Sequence, residues 1–258
     1  MPRILRPTGM KAYRAFGGPG GELESVSGGG RTYNDAITTD NPDIWYKMDE
    51  ASGSIIDTQS YLNLGASGTP VYGEAGLSSD GGTSILFDGS TDGFRGNLPD
   101  SALNDTALTV EAALNVDSVA ANATLIGVGD QSSATYAGWT IAILNTTGNW
   151  YLEWYTGVWN SVDSGVAVTV DESAWWSHRV DWANQNWYIY KNGSLVYTNE
   201  SIGAGQPINS YYTDELSVGI RINSGPYRYF SGHMDQFVYF GSDIGATRIA
   251  AHAAGEGF

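Results

Sequence analysis

The chain has 258 residues, 41% of them hydrophobic and only 16% charged, with 34 glycines and no cysteine. That length suits one large β-sandwich, and the missing cysteine excludes a disulfide framework and a thiolate zinc site. A formal net charge of −16 argues against nucleic acid as a partner, and no run reaches the ~18 continuous apolar residues of a membrane span, so no membrane insertion is expected.

In chain order, residues 1–36 come first and show neither strand nor helix periodicity. They hold Pro2, Pro7 and Pro19, and seven glycines between Gly17 and Gly30. Such a segment alone buries too little apolar surface to offset its ordering entropy. Residues 1–31 carry five basic groups against Glu22 and Glu24, a net of +3, whereas the other 227 residues carry a net of −19. Ile4, Leu5, Met10, Tyr13 and Phe16 punctuate the basic stretch. Two readings stay open for this arm. It is a free tail, or it is a docking peptide that orders on a larger protein assembly through residues 1–31, tethered by glycines to the body.

From Asp43 the pattern changes to strand-like runs separated by turn signals. The runs are 43–48, 84–87, 108–116, 124–129, 138–144, 150–156, 166–170, 178–182, 187–198, 216–222 and 233–240. Asp88-Gly89 and Asp92-Gly93 mark turns, and Asn192-Gly193 between two apolar runs is a strong two-residue hairpin signal. Only the end reads helical, over Ile244–Ala253, with Ser242 or Asp243 as cap and Gly255 as stop. Many strands and almost no helix predict an all-β fold of two packed antiparallel sheets over residues 37–258, with an extended N-terminal arm and a short C-terminal helix.

Five segments, in order, carry a family resemblance. They are Trp45–Gly53 with Asp57; Ile85–Phe94 followed by a short connection at 98–104; Leu108–Val116; Trp175–Val196; and Phe230–His252. Together they resemble the concanavalin A-like lectin/glucanase superfamily, in its laminin-G-like branch, which implies a jelly-roll β-sandwich. The scaffold hosts lectins, glycan hydrolases, adhesion modules and spacers, so the resemblance specifies fold more than function.

Retaining glycanases of that superfamily place acidic residues at alternate positions of one strand, giving two carboxyls about 5–5.5 Å apart. This sequence has no such run: Asp49-Glu50, Asp171-Glu172 and Asp214-Glu215 are adjacent pairs, and Glu153 stands alone. No nucleophile elbow, zinc-protease motif or phosphate-binding loop is present, so no enzyme is expected. His178 matches the family's strand histidine and reads as packing. The resemblance also implies a structural Ca²⁺ held by Asp49 and Asp235 with backbone carbonyls. The alternative is that Asp49 ends a strand and Asp235 is a solvated turn residue. Asp88 and Asp92 resemble a calcium loop too, but such pairs are more often plain turns.

The richest aromatic stretch is Trp150–Trp159, with Tyr136 and Trp139 upstream. Period-2 geometry puts Leu152 and Trp154 on a core face and Tyr151, Glu153 and Tyr155 on the other. With Trp159 in the following loop, these four form a candidate carbohydrate-binding surface. The alternative is that the rings fill the sandwich and its rim. Tyr211, Tyr212, Tyr227 and Tyr229 form a second aromatic group with the same ambiguity.

The expected function is a non-enzymatic, lectin-like adhesion module that binds a cell-surface polysaccharide. The alternatives are a structural decoration or spacer without glycan binding and, last, a glycan hydrolase. The segment 1–10 lacks the apolar run of a secretory signal. Laminin-G-like domains without one resemble those of bacteriophage virions, as minor tail or capsid-surface proteins, so the expected location is a virion surface. Whether the chain forms a homo-oligomer is left open.

Overall fold

A computed structural model describes residues 33–79, 82–98, 105–129, 138–203, 215–221 and 228–258. The expected arm up to residue 32, the connection at 99–104, and Tyr136, Tyr211, Tyr212 and Tyr227 lie outside the described residues. The first element is helix α1 (Tyr33–Asp40), followed by strands β1 (Ile44–Tyr46), β2 (Gly65–Ser67), β3 (Val71–Ala75), β4 (Thr83–Asp88) and β5 (Gly93–Asn97). Then come β6 (Ala107–Val116), β7 (Ala123–Gly129), β8 (Trp139–Ile143), β9 (Asn149–Tyr155), β10 (Trp159–Ala167) and β11 (Ser173–Asp181). The remainder are β12 (Asn186–Lys191), β13 (Ser194–Asn199), β14 (Glu215–Val218), β15 (Ile220–Arg221), β16 (Arg228–Tyr229), β17 (Ser231–Phe240) and helix α2 (Ala246–Glu256).

Two antiparallel sheets pack face to face as a jelly-roll sandwich. The first runs β13-β12-β11-β6-β17-β4-β3, with β1 also paired to β17; the second runs β10-β9-β8-β7-β14-β5-β2. Strand β9 shows why the residues settle this way. Trp150, Leu152 and Trp154 are buried while the intervening Tyr151, Glu153 and Tyr155 are only partly buried, as period-2 geometry requires of a strand with one face inward. The inter-sheet core contains Phe87, Phe94, Trp150, Trp154, Trp187, Phe230, Phe237 and Tyr239, all buried. Each contributes roughly 1.5–3 kcal/mol by leaving water.

Strand β6 is buried on both faces because the first sheet is covered outside as well. Ile37 of α1, Ala253 of α2, Trp45, Trp175, Val238 and Phe240 form a second apolar layer there. Within it lies a polar chain. Ser177 Oγ donates to Glu111 (2.8 Å), His252 bridges Glu111 Oε2 (2.6 Å) and Asp40 Oδ2 (2.8 Å), and Arg248 Nε donates to Asp40 (2.6 Å). Burial opposes a charged His252, but its two carboxylate partners outweigh it and raise its pKa.

Several sequence expectations need correction. Helix α1 occupies residues at the expected arm–body boundary, where no periodicity suggested a helix. Helix α2 starts after the expected cap: Gly245 is its N-cap, without a side-chain cap bond. Asp243 is used elsewhere, accepting from the Gly245 amide and pairing with Arg179. The left-handed C-cap is Gly257, so Gly255 lies within the helix. Strand β10 begins at Trp159, well before the expected run at 166, because its Asn, Ser, Asp and Gly residues conceal it. Among the described residues no helix is long and apolar enough to cross a membrane.

Candidate functional site

The four predicted carbohydrate-site residues do converge on one surface, the outer face of the second sheet. Trp159 is not in a loop but is the first residue of β10, paired opposite Tyr155; Ser161 stands opposite Glu153 and Asp163 opposite Tyr151. The Tyr155 and Trp159 rings meet edge-on with centroids 5.5 Å apart. Trp159 remains 40% exposed, which is unusual for a ring of that size. On the other side of β9, Thr140 lies opposite Glu153 and Ala142 opposite Tyr151. Next to them come Gly127 and Thr124 of β7. These small residues are buried, and the chain packs over them. Trp139 is core, stacked on Tyr239.

Two residues that the sequence reading missed complete the face. The run at 216–222 breaks at Gly219, which adopts a φ of +73°. A Cβ there would lie 2.4 Å from the Phe87 ring, so both conformation and space require glycine. The break releases β15 from the second sheet into a two-stranded ribbon with β16. That ribbon delivers Arg221 and Arg228 to Glu153. Arg228 makes a bidentate pair (Nη1–Oε2 2.7 Å, Nη2–Oε1 3.0 Å), and Arg221 Nη1 joins Oε2. The side chains are 8% (Arg221), 17% (Arg228) and 13% (Glu153) exposed. The Arg221 guanidinium also sits over the Trp159 ring, 5.0 Å from its centroid. Burial pulls the pKa of Arg221 down against the opposing charge of Glu153. Tyr151 is raised, first by burial, with the Glu153 charge adding to it and a hydrogen bond to Ser161 opposing.

The predicted cation residues lie on the first sheet. One edge of β17 pairs with β4 up to Met234 and with β1 from Phe237 onward. Between them Gln236, at φ +53°, forms a bulge that resets the alternation. Asp235 therefore faces away from the inter-sheet core but is fully buried, not a solvated turn residue. Its Oδ2 accepts from the Leu77 (3.0 Å) and Ser78 (3.3 Å) amides, while its Oδ1 is buried without a partner. Burial, reinforced by the charge of Asp49, raises its pKa to about 6. Asp49 itself is exposed, three residues beyond β1. An orphaned anionic oxygen fits a hard cation completed by backbone carbonyls. Among the described residues no group of three His, Cys, Asp or Glu side chains is placed to hold a metal.

Asp88 and Asp92 serve their own turn. Asp88 accepts from the amides of Ser90, Thr91 and Asp92, and Asp92 accepts from the amides of Thr69 and Asp88. Burial opposes ionisation of Asp88, but these bonds with that of the Ser90 hydroxyl hold its carboxyl well below the usual range. His178 is fully buried between Trp150 and Trp187, and burial pushes its pKa down to about 3. It is a neutral packing residue.

The two antiparallel sheets packed face to face define a jelly-roll β-sandwich. The chain belongs to the concanavalin A-like lectin/glucanases superfamily, whose laminin G family model matches residues 88–250. Curated protein sequences give no match. Among solved structures, the chain is similar to domain 4 of AbnA, a GH43 extracellular arabinanase from Geobacillus stearothermophilus, in complex with arabinotriose. The TM-score is 0.61 at 16% identity, over 82% of this chain and 98% of that one. It is also similar to the CBM40 of the Ruminococcus gnavus IT-sialidase bound to α2,3 sialyllactose, with a TM-score of 0.53 at 17% identity over 65% and 95%. A third is the botulinum neurotoxin serotype D ligand binding domain in complex with N-acetylneuraminic acid, at TM-score 0.59 and 15% identity over 86% and 53%. The chain spans about half the length of the neurotoxin domains it matches, 52–53%. These likenesses are likenesses of fold.

Proposed function

We propose that the domain is a non-enzymatic glycan-binding module whose ligand surface is Tyr151, Glu153, Tyr155 and Trp159, with Arg221 and Arg228. The observation that carries this reading is the exposed Trp159 ring, braced by Tyr155 and Arg221. An exposed aromatic face stacks on the apolar face of a sugar ring, and neighbouring polar groups orient its hydroxyls. The similar folds that hold arabinotriose, sialyllactose or N-acetylneuraminic acid support the same class of ligand.

A hydrolytic role has less support. Both oxygens of Glu153 are engaged by arginines, and Asp163 accepts from Asn149 Nδ2 and the Gly165 amide. Neither is poised as one of a pair of catalytic carboxyls.

Asp235 Oδ1, Asp49 and nearby backbone carbonyls are proposed to hold Ca²⁺, which would neutralise the buried carboxylate and fix the junction of β1, β4 and β17. The charge division between a basic residues 1–31 and an acidic body supports display on a larger assembly, a phage virion surface being the proposed setting. The test of ligand binding is a panel of bacterial surface polysaccharides and simple glycans, titrated with Ca²⁺ and with chelator. Saturable binding lost in Trp159→Ala supports the proposal. Silence across the panel from folded protein overturns it in favour of a structural accessory.

A further inference from the structure

We infer that the glycan taken by this face ends in a single carboxylate-bearing sugar; the inference rests on the glycan-binding reading proposed above. Basic residues are scarce in the body: residues 32–258 hold only seven. Two of the seven, Arg221 and Arg228, converge on one carboxylate. Charges this well buried are ordinarily matched by a partner, because desolvation without compensation is costly. Here, among the described residues, two guanidiniums share the single carboxylate of Glu153. Among the described residues no second carboxylate pairs with either arginine; Asp163, exposed on the same face, keeps its charge but bonds to Asn149 and Gly165 instead.

The arginine pair is also in the right place. Arg221 lies over one face of the Trp159 ring, so a sugar stacking on this ring would do so next to the cation. Guanidinium matches a carboxylate better than any other common side chain does, through parallel N–H···O bonds. A neutral sugar would occupy the ring and offer the guanidiniums no charged partner, whereas the carboxylate of a sugar acid would give them a second one to share.

A second effect limits the ligand to one acid. The net charge of −19 over residues 32–258 repels a long polyanion. At physiological salt that field decays over about 8 Å, so a lone terminal acid at the arginines escapes most of it. A terminal sialic or uronic acid on an otherwise neutral glycan therefore fits better than a polyuronate.

The experiment titrates the full chain with matched pairs at physiological salt: 3′-sialyllactose against lactose, and glucuronic-acid-terminated against glucose-terminated oligosaccharides. The result expected is that an acid-terminated member binds roughly tenfold or more tightly than its neutral partner. Methyl esterification of its carboxylate should abolish that preference on the unaltered protein, so the test does not depend on any variant folding. Arg228→Gln should shrink the preference, and Trp159→Ala should remove binding altogether. Equal binding of acid and neutral members, lost in Trp159→Ala, or a preference for polyuronate over the terminal acids, overturns this inference and leaves glycan binding standing. Absence of binding to every pair and to the wider panel overturns both.

Discussion

Replacing Asp235 by Asn should stabilise the cation-free protein at neutral pH. Burial, aided by the Asp49 charge, raises this carboxyl from 3.8 to about 6, against the opposing Leu77 and Ser78 amides. Two pH units at ~1.4 kcal/mol each amount to about 3 kcal/mol. The folded pKa lies above the unfolded one, so the stabilising share of protonation is complete below about pH 4 and is lost as pH rises through about 6. Asn is uncharged at every pH and keeps an oxygen for the two amides. In a domain of this size ~1 kcal/mol shifts Tm by about 2–4 °C, so the variant should melt about 6–12 °C above wild type at pH 7.5 in chelator. At pH 4 the two should melt together. Calcium should raise the wild-type Tm at pH 7.5 and leave the variant unmoved. The assay is thermal unfolding followed by tryptophan fluorescence at both pH values, with chelator and with Ca²⁺. A variant that melts at or below wild type at pH 7.5 in chelator refutes the reasoning about the buried charge.

Three further outcomes follow from the packing. Gly219→Ala should cost about 2–5 kcal/mol, from a left-handed backbone and a methyl driven into Phe87, and chemical denaturation would measure it. A variant as stable as wild type would show that the ribbon is not held by that turn. Glu153→Ala should destabilise by about 3 kcal/mol because it strands Arg221 and Arg228 partly buried together, and a neutral result would mean the pair is solvated. His252 should contribute stability that is fully present below about pH 6.5 and falls as pH rises through its raised folded pKa. Unfolding midpoints of wild type and His252→Asn across pH 5.5–9 check this, since the gap between them should narrow on the alkaline side.

The two-sheet fold was legible because its strands carry strong period-2 or continuous apolar patterns, as in Trp150–Trp154 and Leu108–Val116. The Asn192-Gly193 hairpin is equally explicit, both residues adopting positive φ. Strands β2, β3 and β5 were not visible, being three to five residues long, each containing glycine and lying at or next to a sheet edge. Four of the six residues of the candidate face were legible too, since the alternation in β9 set Tyr151, Glu153 and Tyr155 together and Trp159 follows closely in the chain. Arg221 and Arg228 were not, because they lie 68 and 75 positions from Glu153 and reach it only through the ribbon beyond Gly219. The burial of Asp235 depends on the bulge at Gln236, and no local sequence signal marks that shift of phase.

The central claim is that the Trp159 face binds glycan, and the most direct measurement is glycan affinity of wild type against Trp159→Ala at matched thermal stability. The expected result is saturable binding by the wild type and a loss of roughly tenfold or more in the variant, with Tm unchanged. Equal affinity in the two proteins would place the ligand elsewhere and contradict the account.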